Sequence, residues 1–130
     1  MHNDASSTGR EPNPSQEYVA TTFAGNIAVN AGAGTGKTTT LTQRFVNALI
    51  GGQDRSPMQV SEILAITFTK TASAELLGRV RNELRSKAER TSDPESKTRL
   101  LACIRDMDGA WVSTIHGFCA RLLRAHAYEV

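Results

Sequence analysis

Residues 31–40 read Ala31-Gly32-Ala33-Gly34-Thr35-Gly36-Lys37-Thr38-Thr39-Thr40, and the reading of the whole chain turns on them. Glycines alternate with small residues, and a lysine follows with hydroxyls close behind. Glycine inside a helix or strand costs roughly 0.5–1 kcal/mol relative to alanine. Such a run makes sense where the backbone itself must approach something closely. Just before it, Asn26-Ile27-Ala28-Val29-Asn30 is a short apolar burst that suits a buried strand. Just after it, Thr38 to about Ile50 reads as a helix. Leu41, Phe45, Ala48 and Leu49 share one face of that helix, and Gly51-Gly52 forms its stop. The stretch is therefore a glycine loop between a strand and a helix.

In that setting it fits G-x-x-x-x-G-K-[ST], the P-loop pattern, with Gly36, Lys37 and Thr38 in the last three positions and Ala31 in the first. Successive N–H groups of Gly32, Ala33, Gly34, Thr35 and Gly36 can turn inward around an anion. The helix that follows adds its positive end. Lys37 would neutralise the β- and γ-phosphates, and the Thr38 hydroxyl would complete the coordination of Mg2+. A glycine-rich turn without a ligand is the competing reading, and the strand–loop–helix context disfavours it. The motif implies a nucleoside triphosphate but not the use made of it, since small nucleotide kinases carry a similar loop.

The chain has 130 residues, about one domain, with formal net charge +2, which forces no nucleic-acid partner. Cys103 and Cys119 are too few for a disulfide framework or a four-cysteine metal site, and reduced, half-buried thiols are the plain expectation. Residues 1–13 are polar, with Ser, Thr, Asn, charged residues and Pro12, and read as a disordered lead-in with no signal-peptide core. No apolar run approaches the ~20 residues of a membrane helix. A soluble, cytoplasmic protein is expected.

Further along, Ser15 to Phe23 can form a short helix. Ile63 to Phe68 is continuous and apolar, as parallel strands covered on both faces are. Ala72 to about Arg90 is the clearest helix, with Leu76, Val80 and Leu84 stepping by four, Leu77 widening the stripe, and Glu75/Arg79 and Glu83/Lys87 spaced i,i+4. Asp93 as cap and Pro94 behind it begin another helix through about Met107. Asp108-Gly109 turns the chain, Ala110 to Ile115 is a strand, and Gly117 to about Tyr128 a last helix. The alternation predicts an α/β fold with a parallel sheet flanked by helices. Three strands make a thin sheet, so the domain reads as incomplete.

Three further segments carry chemistry. Gln16, about twenty residues ahead of Lys37, could offer its amide to an adenine edge, as Asn or Gln reads adenine in DNA; alone it is an ordinary surface residue. Thr67-Phe68-Thr69 sits at the carboxyl end of a strand, where open α/β sheets place ligands. Its hydroxyls suit phosphate oxygens and its ring a base of single-stranded nucleic acid, while a plain threonine cap is the alternative. His116-Gly117 follows another strand end. His116 with Cys119 is too small a set for zinc, and a Cys–His nucleophile lacks an orienting partner. Arg79, Arg81, Arg85, Arg121 and Arg124 could be a phosphate track or solvated helix faces.

Taken together, these segments resemble the UvrD/Rep-type superfamily 1 DNA helicases. Gln16 resembles their adenine-reading motif, AGAGTGKT their motif I with alanine in its first position, ITFTKTASAEL their motif Ia, and STIHGFCARLL the histidine-containing DNA motif that follows. The resemblance spans about residues 12–127. Lys70 stands where the family has Asn, Thr71 replaces an alanine, and Thr39 follows Gly-Lys-Thr where many members have Arg. Thr39 and the His-Gly-Phe-Cys run lean toward the RecB/AddA helicase–nuclease branch.

The resemblance implies that residues 14–130 are the N-terminal part of the first RecA-like, P-loop NTPase domain of a DNA-repair helicase. It implies ATP and Mg2+ at Gln16, Ala31–Thr39 and the Thr38 hydroxyl, with Lys37 and Thr38 catalytic. It further implies single-stranded DNA along Thr67, Phe68, Thr69, His116 and Gly117, and a place in a helicase–nuclease complex. Neither strand after the loop ends in the Asp-Glu pair that hydrolysis needs, and Leu100 to Asp106 reads as helix. The expectation is therefore a fragment that binds ATP weakly at best and neither hydrolyses it nor unwinds DNA alone. A small nucleotide or metabolite kinase, and a non-catalytic nucleotide-binding remnant, are the alternatives.

Overall fold

A computed structural model describes residues 37–52 and 55–127. Helix α1 (Lys37–Ile50) is followed by a 3-10 turn (Val60–Glu62), strand β1 (Leu64–Thr67), helix α2 (Lys70–Arg90) and helix α3 (Pro94–Asp106). A second 3-10 turn (Met107–Gly109), strand β2 (Trp111–Thr114) and helix α4 (Ile115–Ala125) complete the order. The helix expected at 15–23, the strand at 26–30 and the glycine loop lie outside the described residues.

The expected strands at 63–68 and 110–115 pair in parallel, with Leu64 opposite Trp111, Ala65 opposite Val112, Ile66 opposite Ser113 and Thr67 opposite Thr114. Parallel pairing requires a crossover, and α2 with α3 supplies it. The described part is mostly helical, and its sheet has two strands.

The core lies among α1, α2 and α3 and reaches β2 and the two 3-10 turns through Val112, Val60 and Met107. On α2 the stepped residues Leu76, Val80, Leu84 and Ala88 are all buried, and Leu77 packs beside them. A fully buried side chain of this size contributes roughly 1.5–3 kcal/mol. The helix starts at Lys70, two residues before the expected Ala72, because Thr69 caps it by accepting from the Ala72 N–H at 3.0 Å. Arg79 meets Glu75 at 2.9 Å and Lys87 meets Glu83 at 3.9 Å. Both pairs are solvent-accessible, and such pairs contribute little.

α1 buries Thr42, Phe45, Val46, Ala48 and Leu49. Leu41, expected on this face, is instead 47% exposed. The inward stripe is centred on 42, 45, 46 and 49, an i, i+3, i+4, i+7 set, which leaves Leu41 on its border. Thr42 is tolerated in this stripe because its hydroxyl donates to the Thr38 carbonyl at 2.7 Å. The stop at Gly51 is as expected. Its φ is +80°, and a Cβ there would meet Pro57 N at 2.8 Å. Arg99 of α3 donates to the Leu49 and Ile50 carbonyls at 2.8 and 2.9 Å, so a side chain from another helix satisfies the end of α1.

Asp93 and Pro94 open α3 as expected. The Asp93 carboxylate accepts from the hydroxyl and N–H of Ser96, which holds its pKa below the ordinary value. Helix throughout 94–106 removes Leu100–Asp106 as a candidate strand with an acidic end.

The expected covering of β1 is corrected as well. The apolar run predicts β1 covered on both faces, yet Leu64 and Ile66 are 49% and 43% exposed while Ala65 is half-buried. Among the described residues, α2 packs on the Ala65/Val112 face and nothing fully covers the other. No described helix is long and apolar enough to cross a membrane.

Leu84→Ala is expected to cost about 2–5 kcal/mol, because a fully buried leucine on the central stripe leaves a cavity. Leu101→Ala, at a half-exposed site, is expected to stay within about 0.5 kcal/mol. Chemical denaturation followed by circular dichroism measures both, and equal losses would contradict this placement of the core.

Candidate functional site

The register pairs Thr67 with Thr114, so both strands end at one edge of the sheet. Each end passes into a helix, β1 through Phe68-Thr69 into α2 and β2 directly into α4. The segments 67–69 and 116–117, far apart in sequence, are thereby brought side by side. This is the edge at which open α/β sheets bind ligands.

At the first end, Phe68 is 100% exposed. A single exposed ring is ordinary on a protein surface; this one stands at the carboxyl edge of the strand pair, next to Thr67 and Thr69. Thr67 turns its hydroxyl inward, donating to the Thr69 carbonyl at 2.9 Å and sharing a short hydrogen bond with the Ser73 hydroxyl. Thr69 accepts from Ala72. Its own O–H can still donate outward, since a hydroxyl both accepts and donates.

At the second end, α4 begins at Ile115, two residues before the expected Gly117. The missed signal was Thr114, whose hydroxyl accepts from the Gly117 N–H at 3.1 Å. Threonine at a strand-to-helix junction is a cap by type. His116 and Gly117 therefore lie in the first turn of a helix rather than in a loop. His116 is exposed. A Cβ at Gly117 would stand 3.3 Å from both Ser113 Cβ and Thr114 Oγ1, so the tight junction favours the absence of a side chain there.

Of the P-loop residues, only the end falls within the described structure. α1 starts at Lys37, with Thr38 and Thr39 half-buried in its first turn. The first N–H groups of a helix have no partner inside it. Ala31 to Gly36 and Gln16 lie outside the described residues. Arg79 of α2 reaches Thr39 Oγ1 at 3.4 Å, linking the start of α1 to the helix that begins at Phe68-Thr69.

Most arginines read as a possible phosphate track are engaged inside the protein. Arg79 pairs with Glu75, Arg81 with Asp108 at 2.6 Å, and Arg85 donates to Asn82 at 3.4 Å. Arg121 donates to the Gly109 and Ala110 carbonyls and lies over Trp111. Neither cysteine is in a disulfide; Cys103 is half-buried, with its thiol pKa raised by burial, and Cys119 is exposed. No group of three or more His, Cys, Asp or Glu that could hold a metal ion occurs among the described residues.

The described part is thus an α/β arrangement in which the motif lysine opens a helix and the carboxyl ends of two parallel strands pass into helices. The UvrD/REP helicase N-terminal domain model matches residues 12–130, and the chain belongs to that family. It is 33% identical over 121 residues to an ATP-dependent helicase/nuclease subunit of Pediococcus pentosaceus, covering 93% of this chain and 9% of the relative. It is 39% identical over 127 residues to the RecBCD enzyme subunit RecB of Escherichia coli, covering 81% of this chain and 11% of the relative. Against the equivalent helicase/nuclease protein of Moorella thermoacetica the identity is 34% over 121 residues, covering 93% and 8%. The chain thus spans about a tenth of the length of these curated relatives. The leaning toward the RecB/AddA branch agrees with them.

Thr114→Ala is expected to lower stability by about 1 kcal/mol through loss of the cap, with Thr114→Ser near wild type. Urea denaturation measures both. Equal stability of all three proteins would contradict the capping role.

Proposed function

We propose that residues 14–130 are the ATP-gripping part of the first RecA-like, P-loop NTPase domain of a UvrD-type DNA helicase, preceded by a lead-in at 1–13. The observation that carries this is the start of α1 at the lysine of AGAGTGKT. The amides of the first helical turn, which have no partner within the helix, and the helix's positive end are what a polyphosphate needs. The residues present therefore fit ATP with Mg2+.

Amides of Ala31 to Gly36 and of Lys37 to Thr39 would hold the phosphates. The Lys37 ammonium neutralises the β- and γ-phosphates, and the Thr38 hydroxyl holds Mg2+. Gln16 reads the adenine edge through its amide. When bound, ATP supplies the free energy that a helicase turns into movement along one strand. Phe68 stacks on a base of single-stranded DNA, and the Thr69 hydroxyl and the His116 ring donate to phosphate oxygens beside it. Thr67 orients this edge through Ser73, and Gly117 lets α4 start tight against Ser113 and Thr114 beside His116.

Hydrolysis also needs a carboxylate pair to hold the metal and activate water. β1 runs into Thr67-Phe68 and β2 into Thr114-Ile115, so these 130 residues grip the nucleotide without turning it over. The named relatives are helicase–nuclease proteins. The reading therefore places this segment in a cytoplasmic motor of such an assembly.

Equilibrium binding of a fluorescent ATP analogue with Mg2+ tests the reading. Lys37→Ala is expected to weaken binding roughly 10–100-fold, the scale of a lost charge-assisted contact. ATP turnover by the wild-type chain with single-stranded DNA is expected to stay at background. Unchanged affinity in Lys37→Ala would refute the phosphate role, and robust turnover would refute the division of labour between this segment and carboxylates outside it.

A further inference from the structure

Helix α4 carries His116 and Gly117, yet it buries no residue of its own. Helices are normally held by an apolar stripe in a core. α4 is held differently. Arg121 extends its fork to the chain ahead of β2, donating from Nη1 to the Ala110 carbonyl and from Nη2 to the Gly109 carbonyl, both at 2.9 Å. The same guanidinium lies 3.7 Å from the centroid of the Trp111 ring. Trp111 in turn meets Phe118 of α4 edge-to-face, with ring centroids 5.7 Å apart. Gly117, Phe118 and Arg121 share the inward side of the helix at i, i+1 and i+4, and His116 lies about 100° around the axis from Gly117. The clamp therefore sets the rotation of α4, and that rotation sets where His116 points.

We propose that Arg121, through Trp111 and the Gly109 and Ala110 carbonyls, is a positioning residue that aims His116 at single-stranded DNA. This rests on the reading of the α4 N-terminus as a DNA contact. Arginine suits the task because one planar group can stack on a ring and donate to two carbonyls at once. Lysine can keep the charge and at most part of that geometry. With one donor of Nη1 and one of Nη2 committed to carbonyls and its plane against Trp111, Arg121 acts on DNA through His116 rather than by touching phosphate.

The test is a double-mutant cycle on the 130-residue chain, read by anisotropy of a fluorescein-labelled oligothymidylate at several salt concentrations. Far-UV circular dichroism and the emission of Trp111, the only tryptophan, report fold and clamp. His116→Ala and Arg121→Ala are each expected to weaken binding ~5–10-fold, and the double variant no more than the weaker-binding single, as coupled residues do. Losses that multiply, a salt slope reduced by about 1 in Arg121→Ala, or a lowered melting temperature with unchanged affinity would each overturn the proposal. If Arg121→Ala does not fold, Arg121→Lys decides. It should change the Trp111 emission and lose ~2–3-fold in affinity on the scale of a partly kept contact. Wild-type affinity with altered emission would overturn the inference. If His116→Ala leaves affinity unchanged, the DNA reading of α4 fails. If only the Arg121 variants do so, the clamp inference alone fails.

Discussion

The architecture leans on the buried seam of α2. Leu76, Val80, Leu84 and Ala88 stack along one side of a 21-residue helix and fill the space between α1 and the sheet. On one flank the seam holds α1, whose first residue is the motif lysine. On the other it backs β1 and β2, whose ends carry Phe68 and His116. One helix therefore sets the spatial relation between the proposed nucleotide end and the proposed DNA edge. Substitutions along the seam should disturb both together, whereas changes at the edge should disturb one alone.

Polar capping does at the edge what apolar packing does at the centre. Thr69 and Thr114 each satisfy an N–H group of the helix they precede; Thr114 ends β2 opposite Thr67, and Thr69 lies two residues past the end of β1. Arg99 and Arg121 satisfy carbonyls from a distance in sequence. Strand ends must stay open to bind anything, so they are fixed by hydrogen bonds rather than by burial. The result is a hydrogen-bonded rim with an exposed phenyl ring and an exposed imidazole.

Local signals explain what was legible in the sequence. The four-residue step of Leu76, Val80 and Leu84 is a statement about one helix face, and burial followed it. Asp93-Pro94 and Gly51 act within a turn, so they were readable too. Parallel pairing of 64–67 with 111–114 followed from the helical crossover between them. Several misses depended on partners remote in sequence. Whether Leu64 and Ile66 are covered depends on what packs above them, which a run of apolar residues does not state. The early start of α4 was in reach, since Thr114 is a capping type, but the β-branched and apolar residues beside it read equally well as strand. The Arg121–Trp111 stack and the Arg99 cap had no local signature. Arg121 looked like a solvated or phosphate-facing charge until the fold brought Trp111 beneath it. The family was legible because its motifs are short, local and ordered along the chain.

The central claim is that amides at the start of α1 grip a polyphosphate. Backbone amide chemical shifts of isotope-labelled protein, titrated with a nonhydrolysable ATP analogue and Mg2+, test it most directly. The account predicts saturable shifts concentrated at Gly34, Gly36, Lys37, Thr38 and Thr39, with the Leu76 to Leu84 amides nearly still. Shifts that leave Lys37 to Thr39 in place, or that spread evenly over the chain, would contradict it.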